Sequence, residues 1–158
     1  MSNSIARRRL LLAAVAIATA AATPSIALSS DAGSLLTGSP LKATVRQAKL
    51  TVDREIKTGG FAGLVSMVRG CYKHINNASS AADRTRCIAL DLAGYYEENA
   101  SPEAYRQADL EFDDLFAAHN FQLRMAKYVP PLVDNPTTAQ KQQKAANFVT
   151  IVHAFRDL

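Results

Sequence analysis

Leu41, Val45, Ala48, Val52 and Ile56 follow one another at intervals of four, three, four and four residues. That spacing tracks the 3.6-residue turn of an α-helix and places all five side chains on one face. The rhythm returns in Phe61, Leu64, Val65, Val68, Tyr72 and Ile75, and again in Cys87, Ile88, Leu90, Leu92, Tyr95 and Tyr96. Tyr105, Ala108, Phe112, Leu115, Phe116, His119, Leu123 and Ala126 carry it over about six turns. Ala145, Phe148, Val149, Val152 and Phe155 close the series. Nothing in the sequence alternates with the period of two that a half-buried strand requires. The chain is therefore predicted all-α: a small bundle of about five helices with one disulfide, preceded by a cleavable signal peptide.

The residues between the stripes are helix punctuation. Ser39 followed by Pro40 reads as an N-cap with proline at the first helical position, and Gly59-Gly60 as the end of that helix. Asn76-Asn77 ends the second helix, and Ser79 or Ser80 caps the third, with Asp83 three residues beyond Ser80. Ser101-Pro102-Glu103 opens the fourth helix, residues 130–136 form a stiff extended connection, and Thr137 or Thr138 caps the fifth. The third helix is apolar over the widest arc and is expected at the centre. Gly94 lies inside it, at a cost of about 1 kcal/mol relative to Ala, which points to close approach by a neighbour.

Residues 1–27 are expected to be an export signal rather than part of the fold. Arg7-Arg8-Arg9 precedes a charge-free run from Leu10 to Ala22, short of the roughly 20 residues a membrane-spanning helix needs. Cleavage is placed after Ala27, with Ala20 or Ala22 as alternatives. Arg7-Arg8-Arg9-Leu10-Leu11 also partly matches a twin-arginine signal, so both export routes stay open. Residues 28–39 are expected as a flexible leader and 40–158 as a single helical domain.

The formal charge of +4 comes mostly from that signal. Without Arg7, Arg8 and Arg9 the 18 basic residues become 15 against 14 acidic ones, leaving +1. Basic and acidic residues are interspersed through the rest of the chain, which excludes the concentrated cationic surface of a nucleic-acid binder.

Cys71 and Cys87 are the only cysteines. In an oxidising compartment such a pair is expected to join, and closing a loop of this length contributes about 3 kcal/mol. The spacing matches neither a C-x-x-C redox pair nor the C-x-x-C-H of haem attachment. In an antiparallel hairpin turning at Asn76–Ser79, the two cysteines fall at similar heights.

Few residues suggest chemistry. There is no phosphate loop, nucleophile elbow, H-E-x-x-H or helical Glu-x-x-His in the sequence. His119 shares an apolar stripe and is expected in the core or at its boundary; His74 and His153 are expected near the surface at helix ends. Asp109, Glu111, Asp113 and Asp114 read as a solvated helix face. Asp91 falls within the apolar arc and is expected to pair with Arg84 or Arg86 on the same helix, or with a cap across the bundle. Tyr72, Tyr95, Tyr96 and Tyr105 form the candidate binding surface, if their hydroxyls gather at one end. No catalytic residue, metal ligand or cofactor is predicted.

Gly70-Cys71-Tyr72 with Arg86-Cys87-Ile88-Ala89-Leu90-Asp91 resembles short exported proteobacterial proteins of unassigned function that carry a Cys-Tyr…Cys-x-x-Leu-Asp pattern. In size and architecture the chain is also similar to the periplasmic helical immunity proteins that neutralise secreted amidases, a likeness by analogy. The favoured expectation is a non-enzymatic periplasmic or secreted protein that binds another macromolecule, such as a protein of the cell envelope. A small-ligand carrier or stress-response module with a pocket at Tyr72, Tyr95 and Phe112 is the alternative. A hydrolase using His119 is the third reading.

Overall fold

The computed structural model describes residues 34–106 and 114–158. The expected signal peptide, the first half of the expected leader, and Asp109, Glu111, Phe112 and Asp113 lie outside the described residues. Five helices and no strand occur among the described residues: α1 Gly38–Lys73, α2 Ala81–Ala100, α3 Pro102–Tyr105, α4 Ala118–Tyr128 and α5 Thr138–Arg156.

The first two apolar stripes form two helical segments joined end to end across a kink within α1, as the glycine hinge implies. Gly60, with φ 63° and ψ −166°, leaves the helical region and α1 changes direction there. Only glycine tolerates those angles, so the break falls where the glycine pair predicts it. Leu41, Val45, Ala48 and Val52 bury before the kink; Phe61, Leu64, Val65, Val68 and Tyr72 bury after it. The start differs. Thr37, not Ser39, occupies the cap position, and Gly38 takes the left-handed φ of 57°. Residues 34–37 are also anchored, because the Leu36 amide donates to Thr85 Oγ1 at 3.0 Å.

After the Asn76–Ser79 turn, Ser80 caps α2 by accepting from the Asp83 amide at 3.1 Å. Every residue from Cys87 to Gly94 is buried, and α2 packs against each of the other four helices. It is the central rod, as its wide apolar arc implies. Cys71 and Cys87 are joined, with their Cα atoms 5.6 Å apart, clamping α1 to α2.

The fourth stripe corrects the sequence reading. A helix of six turns was expected, but Asp114–Ala117 are non-helical and α4 begins only at Ala118. The Ala117 amide donates to the Asp114 carbonyl in a turn, and the Asn120 side chain donates to the same carbonyl. The turn drives Phe116 fully into the core, against the open side of Gly94. Across this turn the buried face shifts to Phe121 and Met125, leaving His119, Leu123 and Ala126 of the expected stripe exposed. In α5 the Thr137–Gln140 capping box forms. The buried face there is Ile151 and Ala154, flanked by Phe148, Val152 and Phe155, while Ala145 and Val149 are exposed.

Candidate functional site

Asp91 is wholly excluded from solvent, and a charge so placed needs partners. Arg124 of α4 supplies them: Nε donates to Oδ2 at 2.7 Å and Nη2 to Oδ1 at 2.8 Å. The Tyr72 hydroxyl adds a third bond to Oδ2 at 3.0 Å. The expected partners on the same helix are thus corrected. Arg86 is exposed, while Arg84 is buried and donates Nη2 to the Asn76 carbonyl at 3.0 Å. Among the described residues, Arg84 Nε and Nη1 have no hydrogen-bond partner. Burial lowers its guanidinium pKa.

Burial raises the Asp91 carboxyl, and the Arg124 and Tyr72 bonds pull it back toward ionisation. For Arg124 burial works downward, but the bonds to Asp91 and its charge outweigh it and hold the guanidinium above its ordinary value. Both carboxylate oxygens accept, which is the geometry of an ion pair. Tyr72 is held well above the ordinary phenol range, first by burial and then by the adjacent Asp91.

Tyr72 and Arg124, both bonded to the buried Asp91 behind them, line an open trough between the end of α1 and α4. Its first hollow, about 430 Å³, has Arg69, Tyr72 and Lys73 from α1 facing Leu123, Arg124, Lys127 and Tyr128 from α4, with Leu115 beside them. Tyr72 and Tyr128 stack there at 4.4 Å between ring centroids. A second hollow, about 760 Å³, shares Lys127 and Tyr128 and continues to Asn76, Asn77, Leu132, Val133 and Lys144. Leu123 is 55% exposed and Val133 40% exposed. These are large apolar side chains held in water on one face.

The four tyrosines singled out from sequence do not form one surface. Tyr72 borders the trough. Tyr95 stacks on Phe121 at 4.4 Å and touches Tyr96, which stacks on Phe155 at 4.9 Å. Tyr105 is buried edge-on against Phe61 at 5.3 Å. His119 is exposed in the first turn of α4, which corrects the expected core position: the break before Ala118 separates its helix from the preceding residues of the stripe. His74 and His153 are exposed as expected. The trough residues Leu123, Arg124, Lys127 and Val133 were not among the sequence candidates. Leu123 lies on the apolar stripe and so reads as core in the sequence, and only the Arg124–Lys127 spacing of three points to a basic face.

A third hollow, about 500 Å³, lies over the disulfide and is lined by Met67, His74, Asp83 and Arg86 among others. Its sulfurs are bonded to each other, and no free cysteine exists among the described residues. No cluster of His, Cys, Asp or Glu suited to a metal ion occurs among them. Nor is any helix among them long and apolar enough to cross a membrane. No family model, curated protein or solved structure matches the chain.

Proposed function

We propose that this is an exported, non-enzymatic helical protein that acts by binding another macromolecule, a protein of the cell envelope, along the α1–α4 trough. The observation that carries this reading is the pairing of the two adjoining hollows with exposed Leu123 and Val133. Exposed apolar side chains set in a concave surface with a polar border are what a protein partner buries. The trough floor is also rigid. Tyr72 is fixed by Asp91, and Asp91 by Arg124, so little side-chain order is lost on binding. The Cys71–Cys87 bond supports an oxidising compartment, and the basic-then-apolar leader supports export. A carrier of small ligands is the weaker reading, because both hollows lie open at the surface rather than enclosing a ligand.

The test is a photo-reactive amino acid placed at Leu123 and, as a control, at exposed Ala82 of α2, in cells exporting the full chain. A discrete adduct from Leu123 but not from Ala82 is expected. Absence of an adduct at Leu123, or the same adducts from both positions, overturns the reading.

A further inference from the structure

The walls of the trough advance together along the sequence, Arg69 to Ala78 on one side and Leu123 to Asp134 on the other. At 1.5 Å per residue from Leu123 to Tyr128 and at most about 3.3 Å per residue from there to Asp134, the trough runs to at most about 27 Å. That is room for up to about eight residues of extended chain. Along this length apolar side chains interleave with basic ones: Leu123, Tyr128, Leu132 and Val133 among Lys73, Lys127 and Lys144. Asp134 is the single carboxylate among the described residues lining the two hollows.

One further charge stands behind the wall. Arg84 is 0% exposed, and its guanidinium contacts the trough through one peptide group, the Asn76 carbonyl that accepts from Nη2. Among the described residues, Nε and Nη1 have no hydrogen-bond partner and no carboxylate pairs with this cation. A buried guanidinium without a counter-charge projects positive potential through a medium that screens it poorly. An anion lying against Asn76–Ala78 would supply that counter-charge.

We infer that the occupant of the trough is an acidic, extended polypeptide segment in which carboxylate and apolar side chains alternate. This rests on the binding function proposed above and adds the chemistry of the partner. Alternation suits the surface because successive side chains of an extended chain point to opposite sides. One set meets Leu123, Tyr128 and Val133; the other meets the lysines at the rims. A fatty acid or lipid fits less well, since one headgroup engages one end only and the trough stays open along its length. A nucleic acid offers phosphates but no apolar side chains for Leu123 and Val133.

The experiment uses the purified full-length exported chain and three fluorescein-tagged probes: a hexapeptide of alternating glutamate and leucine, its lysine–leucine counterpart, and dodecanoate. Anisotropy is expected to show binding of the glutamate peptide alone. That binding should weaken about tenfold when salt is raised from about 50 to about 500 mM, and about tenfold in the double variant Lys73→Glu, Lys127→Glu. Both lysines are exposed, so these changes do not threaten folding. Equal binding of both peptides, tighter binding of dodecanoate, or no binding of the glutamate peptide overturns the inference. A Leu123 adduct that survives Lys73→Glu with Lys127→Glu leaves the binding function standing and removes the acidic partner. Loss of that adduct in the double variant supports the acidic partner.

Discussion

Tyr72 connects three features of this protein: its ring stacks on Tyr128, its hydroxyl bonds Asp91, and its edge borders the trough. Its phenol is raised well above the ordinary value in the folded chain. The unfolded chain therefore loses the phenol proton first as pH rises past about 10, while the folded chain keeps it. The stability from this group is complete below about pH 10 and disappears as pH climbs through the folded pKa. Tyr72→Phe should cost about 1–3 kcal/mol at neutral pH, because Asp91 loses a donor, and should flatten the alkaline decline. Urea unfolding across a pH series checks both; parallel alkaline profiles for the two proteins would contradict the assignment. That Asp91 needs a partner is legible from its apolar surroundings in the sequence. Which partner is not, since Arg124 lies 33 positions away on a helix that begins after an unpredicted turn.

Two glycines act on their elements for opposite reasons. At Gly60 the constraint is the backbone itself, since φ 63° with ψ −166° excludes a side chain, although a Cβ there would meet nothing within 4 Å. At Gly94 the backbone is helical, but a Cβ would lie 2.5 and 2.6 Å from ring atoms of Phe116. Gly60→Ala should cost about 1–3 kcal/mol from strain. Gly94→Ala should cost about 1–3 kcal/mol from overpacking, less the roughly 1 kcal/mol that alanine contributes to a helix. Adding Phe116→Leu should recover part of the loss at Gly94 and none at Gly60. Equal recovery at the two sites, measured by thermal or denaturant unfolding, would refute the distinction. Both glycines stand out in the sequence as interruptions of a helical rhythm. The break before Ala118 does not, because glycine and proline are absent there, and the shift of the buried face to Phe121 and Met125 follows from the turn.

For the molecule as a whole, the link between α1 and α2 is doubled. Cys71 bonds Cys87, and the adjacent Tyr72 bonds Asp91, one helical turn beyond Cys87. The residues of the Cys-Tyr…Cys-x-x-Leu-Asp pattern are thus two cross-links in register. Reducing the disulfide should lower the unfolding free energy by about 3 kcal/mol while helical circular dichroism persists below the transition. An unchanged denaturation midpoint after reduction would show that the bond contributes nothing. The periodic apolar stripes, the cysteine pair and the glycine interruptions determined an all-α chain with a central third stripe and a clamped hairpin, because each is a local signal read within a few turns. The tertiary structure alone decided the partner of Asp91, the burial of Phe116 against Gly94, the dispersal of the four tyrosines and the trough between α1 and α4. Those depend on which faces of distant segments meet, and burial energy is indifferent to sequence separation while periodicity is not.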